Sequence, residues 1–210
     1  MRAEFALGEA PLLLVLPGSR RGEVERLSPV FGEAVRLFLQ DHPQMRVVVP
    51  AAAPVADLVR AQVASWPEGC VVIDPREFDA ATAAAHKRAA FRGAGLALAA
   101  SGTVSLELAA NDTPMVVAYD MGWLSREIIG RMLLVDTVTL VNLVSETRAV
   151  PEFIGNACRP APIADALLSV LEAPQAQVEA MALTIERLGR GGPHPGDRAA
   201  RAVLEGLGRG

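Results

Sequence analysis

The sequence predicts an α/β fold: a doubly wound parallel sheet covered by helices on both faces, with a helical carboxy-terminal tail. Three observations predict it. Short apolar runs bounded by turn residues alternate with longer segments of helical period, the pattern of crossover connections between parallel strands. The runs are continuously apolar, as strands buried on both faces require. After residue 160 the strand patterns stop and only helical ones continue.

The elements follow in order. Strands are expected near 12–16, 46–50, 70–73, 95–99 and 114–118, with a weaker one near 138–141. Residues 2–10 read as a short helix feeding straight into the first strand, which makes Met1 read as the start of a fragment rather than of a complete enzyme. In the first long helix, Val24, Leu27, Phe31, Ala34 and Phe38 recur every three or four residues, a stripe that faces the sheet, and Pro43 ends it. Trp66-Pro67-Glu68-Gly69 stops a helix at roughly 55–65, and Gly93 stops one at 78–91. The tail reads as helices at about 161–172, 175–189 and 197–208, with "GRGGPHPGD" (189–197) as a hinge. Residues 1–160 are thus expected to form the ligand-binding domain, and 161–210 helices that pack on it or reach toward another domain.

Composition narrows the function. Of 210 residues, 51% are hydrophobic but only 4% aromatic, so the core must be built mainly from Ala, Leu and Val. The net charge is −4, Lys87 is the sole lysine, and no basic stripe is interleaved with aromatics, so nucleic acid is not expected as a partner. Cys70 and Cys158 form no CxxC pattern and read as two buried thiols in a reducing compartment. His42, His86 and His194 are scattered, so no metal site is expected. No signal segment opens the chain, which points to the cytoplasm. The most membrane-like window, 94–110, is split by Ser101-Gly102-Thr103 and carries Glu107; it reads as strand, turn and helix.

Two turns carry the candidate chemistry. In "LLLVLPGSRRGEVERLS" (12–28) a strand ends at Gly18-Ser19-Arg20, leaving the amides of the next helix pointing outward, where the helix dipole favours an anion. Arg20 and Arg21 add guanidinium forks that match phosphate oxygens. Alone, the segment also reads as an ordinary βα turn with two surface arginines, and it matches neither a Walker loop nor GxGxxG. In "LALAASGTVSLELA" (96–109) a second buried strand meets Ser101-Gly102-Thr103, where Ser101 or Thr103 could cap the helix. Glu107, four residues beyond Thr103, looks toward the same place. A carboxylate repels a phosphate but suits a neutral diol such as ribose, accepting a hydroxyl proton at each oxygen. Two such turns at the carboxyl ends of parallel strands would line one crevice, and together they point to a nucleoside diphosphate.

The segment 122–146 is less decisive. Trp123, Leu124, Ile128, Met132 and Val135 form a stripe that either packs in the fold or touches anionic lipid or an acyl chain. Asn142, between apolar neighbours in "TLVNLV", is either a turn residue or a polar group aimed into the cleft.

"LPGSRRGEVERL", "ASGTVSLELA", "TPMVVAY" and "LVNLVSETRAVPEFI", in this order and spacing, resemble the carboxy-terminal half of bacterial lipid-A-disaccharide synthases, glycosyltransferases of the two-domain GT-B architecture. The resemblance implies a Rossmann-like donor domain. It further implies transfer of 2,3-diacylglucosamine from its UDP derivative to the lipid acceptor 2,3-diacylglucosamine 1-phosphate, with inversion, without a metal, and with release of UDP. Carried onto this chain, Gly18, Ser19 and Arg20 would meet the pyrophosphate together with Ser101, Gly102 and Thr103. Glu107 would hold the ribose, and Asn142 would stand on the cleft wall. The catalytic base would belong to an amino-terminal domain absent from this chain, so no residue here is expected to be catalytic. The same resemblance implies a cytoplasmic enzyme, peripheral at the inner membrane. The tail after residue 190 has three arrangements open to it: return to the missing domain, exchange within a homodimer, or free movement.

Two other readings stay open on the residues. Another UDP-GlcNAc-type transferase or a UDP-sugar 2-epimerase half would share the fold, and product analysis with acylated and unacylated donors separates these. A stand-alone nucleotide-binding module gains if the native reading frame begins at Met1.

Overall fold

The computed structural model describes residues 1–120, 137–193 and 195–207. Among the described residues six parallel strands form one sheet: β1 (Leu12–Leu16), β2 (Arg46–Pro50), β3 (Val71–Ile73), β4 (Ala94–Ala100), β5 (Met115–Tyr119) and β6 (Glu152–Ile154). Their order is β3-β2-β1-β4-β5-β6, so the winding reverses direction between β1 and β4. Among the described residues the α-helices are α1 (Arg21–Asp41), α2 (Ala56–Val63), α3 (Ala80–Gly93), α4 (Val104–Ala110), α5 (Leu140–Ser145), α6 (Pro160–Glu172), α7 (Gln175–Arg187) and α8 (Pro195–Leu207).

The sheet buries both faces because its strands are apolar at every position. Leu13 and Val15 of β1, with Leu96 and Leu98 of β4, pack beneath the α1 stripe Val24, Leu27, Phe31, Ala34 and Phe38, joined by Ile163 and Leu167 of α6. On the opposite face Leu12, Leu14, Ala97 and Ala99 meet Phe91 of α3, Leu108 of α4 and Met181 of α7. Adjacent residues of one strand thus serve different cores, which is why no polar alternation appears in them. Each large side chain so buried contributes about 1.5–3 kcal/mol. The α6 and α7 helices of the tail complete these cores, whereas α8 leaves Val203, Leu204 and Leu207 exposed at 61%, 68% and 74%. Gly189 and Gly191, with φ of 87° and 79°, form the turn between α7 and α8 where the hinge is expected.

Two local expectations are corrected. The weak strand near 138–141 does not form: Leu140 opens α5, and the sixth strand lies at Glu152–Ile154. The Glu152 carboxylate takes the amides of Val138 and Thr139, at 3.2 and 2.6 Å, so those donors are satisfied by a side chain instead of a ladder. Residues 2–10 form turns in place of a short helix, with Ala6 and Gly8 at φ of 50° and 53°. Arg2 Nη1 ties the segment together by donating to the carbonyls of Gly8 and Ala10, each at 2.8 Å.

Cys70 and Cys158 are not disulfide-bonded. Burial pushes the Cys70 thiol up to about 11, which makes it a poor nucleophile near neutral pH.

Candidate functional site

Because β1 and β4 are parallel neighbours, paired in register from Leu13 with Leu96 to Leu16 with Ala99, their carboxyl ends reach the same edge of the sheet. The turns that follow them therefore stand side by side where the winding reverses, the usual place for a ligand in an open α/β sheet. A cavity of about 620 Å³ opens there, a size suited to a small organic ligand. Gly18, Ser19, Arg20, Ser101, Gly102, Thr103 and Glu107 all line it.

The first turn is held by a residue that the motif reading passes over. Glu23, in the first turn of α1, folds back so that one carboxylate oxygen accepts the amides of Ser19 and Arg20 at 3.1 and 3.2 Å. Its other oxygen accepts from Arg20 Nη1 at 3.1 Å. Two of the donors expected to face an anion are thus occupied by an internal carboxylate. As in any helix, the amides of the first residues, here Arg21 and Gly22, have no partner within the helix. The Arg20 side chain is 82% exposed, so most of its fork remains available to a ligand. Gly18 has φ of 119°, and a Cβ there would lie 2.7 Å from both Cβ and Oε2 of Glu23. Glycine is required here by conformation and by space together. Glutamate three residues after the helix-capping position is the sequence signal that could have found this contact.

The second turn is open. Gly102 has φ of 151°, and nothing lies within 4 Å of the position a Cβ would take there. Neither Ser101 nor Thr103 caps α4; Ser105 Oγ instead donates to the Gly102 carbonyl at 2.9 Å. Glu107 points along the same wall, and Lys87 of α3 reaches it with Nζ 2.6 Å from Oε2.

The far rim follows β3. Asp74 is buried and accepts from Arg76 Nη2 at 2.7 Å, while Arg76 also pairs with Asp57 at 2.5 Å. The Arg76 guanidinium holds the Asp74 carboxyl below the usual carboxylate range, against the upward push of burial. Ile73 and Pro75 beside it, with Phe91, give the cavity an apolar back.

Asn142 does not join this cluster. It is fully buried on α5, where its side-chain oxygen accepts the Val150 amide at 3.0 Å and its nitrogen donates to the Val150 carbonyl at 2.9 Å. Its amide pins the chain between α5 and β6. The stripe Trp123 to Val135 lies outside the described residues. Among the described residues no group of three or more His, Cys, Asp or Glu could hold a metal ion, and no helix is long and apolar enough to cross a membrane.

A family model described as lipid-A-disaccharide synthetase matches residues 4–195. The chain belongs to the lipid-A-disaccharide synthetase family. It is 63% identical over 207 residues to the lipid-A-disaccharide synthase of Ruegeria pomeroyi, covering 99% of this chain and 52% of that protein. The corresponding synthase of Nitrobacter winogradskyi is 38% identical over 95% of this chain and 49% of its own length. This chain therefore spans about half the length of these relatives.

Among solved structures, the fold is similar to that of the carboxy-terminal domain of a group 1 glycosyl transferase from Francisella tularensis. That likeness has a TM-score of 0.51 at 13% identity and covers 89% of this chain and 90% of that one. This likeness shows the fold: a Rossmann-like parallel sheet of the kind found in GT-B glycosyltransferases.

Proposed function

We propose that this chain is the donor-binding half of a lipid-A-disaccharide synthase. In the whole enzyme it would hold UDP-2,3-diacylglucosamine while the sugar passes to 2,3-diacylglucosamine 1-phosphate, with inversion, without a metal and with release of UDP. The observation that carries this reading is the meeting of both small-residue turns and Glu107 in one cavity at the switch point of a family member's sheet.

Each side chain has a chemical task in this reading. The exposed fork of Arg20 and the positive end of α1 favour the charge that grows on the departing diphosphate. Gly102 lets backbone approach the phosphates without a side chain between. Glu107 accepts the ribose hydroxyl protons. The base that deprotonates the acceptor, and the acceptor site, belong to an amino-terminal domain, so the chain alone binds UDP without transferring sugar. The complete enzyme works on the cytoplasmic face of the inner membrane, where its lipid substrates lie.

Isothermal titration with UDP tests the reading. The chain binds UDP, and Arg20→Ala and Glu107→Ala each weaken binding by about 1–3 kcal/mol, the range for a lost charged hydrogen bond. Absence of UDP affinity, or undiminished affinity in both variants, defeats it.

A further inference from the structure

Among the described residues, four charged side chains line the cavity: Arg20 and Lys87 on one side of the balance, Glu23 and Glu107 on the other. Among the described lining residues Lys87 is what keeps the charge from being net negative, a poor setting for an anion. Lys87 Nζ lies 2.6 Å from Glu107 Oε2 and 5.3 Å from the centroid of the Phe91 ring, one turn further along α3. Phe91 is itself buried, so the ring gives the flexible lysine stem a fixed surface beneath its cation. Both members of the ion pair are about half exposed, and pairs of that kind add little to stability. The pair's place on the cavity wall is the more informative fact.

We infer that Lys87 is a positioning residue for a nucleoside diphosphate. It holds the Glu107 carboxylate at the cavity wall and cancels its charge, so that the carboxylate can meet a ribose without repelling the diphosphate beside it. The inference rests on the nucleotide reading of the cavity given above. The ammonium acts through the carboxylate it holds: its pairing with Glu107 Oε2 fixes where that acceptor stands.

A double-mutant cycle on the 210-residue chain, read by isothermal titration with UDP, tests this. Lys87→Met is expected to weaken UDP binding about tenfold when Glu107 is present, and by less than about twofold in the Glu107→Gln background, where no carboxylate charge remains to be cancelled. Lys87→Arg should keep affinity within about threefold of the parent, because it retains the charge. A Lys87→Met variant that binds UDP as the parent does, or that loses equally in both backgrounds, overturns the role of Lys87 alone. A parent chain with no UDP affinity overturns the nucleotide reading and this inference with it. Since Lys87 is exposed, thermal unfolding of Lys87→Met is expected to match the parent, which separates lost binding from lost fold.

Discussion

The two turns that form the cavity look alike in sequence, a buried strand running into small residues and then a helix, yet they are built differently. The Gly18-Ser19-Arg20 turn is closed from within: Glu23 takes two of its amides and one arginine nitrogen, and Gly18 has no room for a side chain. The Ser101-Gly102-Thr103 turn carries no side-chain cap and has open space over its glycine. One turn is therefore set before any ligand arrives, and the other offers its backbone. The difference teaches that an anion-friendly strand-to-helix turn can be shaped by a resident carboxylate, so free amides cannot be counted from a motif alone.

Glycine substitution gives the largest expected contrast. Gly18→Ala must bear both an unfavourable φ and the collision with Glu23, and should destabilise the chain by about 2–3 kcal/mol in urea unfolding. Gly102→Ala bears the φ strain only and should cost about 1 kcal/mol. Equal losses would erase the distinction between the turns. Glu23→Ala comes next, with an expected loss of about 1–2 kcal/mol as two part-buried amides lose their acceptor.

The smallest effect is the most informative about the ligand. Glu23→Gln keeps an acceptor for the turn but removes a negative charge beside Arg20, so UDP should bind about threefold tighter. Unchanged or weaker binding in that variant would mean that the diphosphate does not approach this turn.

Much of this arrangement is legible in the sequence. β1, β2, β4 and β5 stand out because strands buried on both faces must be continuously apolar, and the α1 stripe because one helix face must meet them. The β6 strand does not, since Glu152–Ile154 is short and only half-buried, while the apolar "VTLV" nearby imitates a strand. What decides that stretch is Glu152, a side chain far enough along the chain that no local pattern shows it reaching Val138 and Thr139. Asn142 shows the same limit: spacing leaves it between turn and cleft, and its amide bonds to Val150 place it in the interior. Both turns and Glu107 are legible as parts of one crevice. Lys87 is not, because its meeting with Glu107 depends on how α3 and α4 are placed on the same face of the sheet.

The pairing of β1 with β4 has a consequence for how the chain folds. Leu16 and Ala99 are register partners although α1, β2, α2, β3 and α3 lie between them in sequence. A contact of that separation forms late relative to local ones, because a long stretch of chain must be closed before it is gained. The cavity is thus absent from any partly folded species that lacks this single pairing, however well its separate turns and helices are formed. Amide hydrogens along β1 and β4 should accordingly be the ones whose exchange slows most when UDP is bound, since a ligand at the joint protects the state in which the two strands are together.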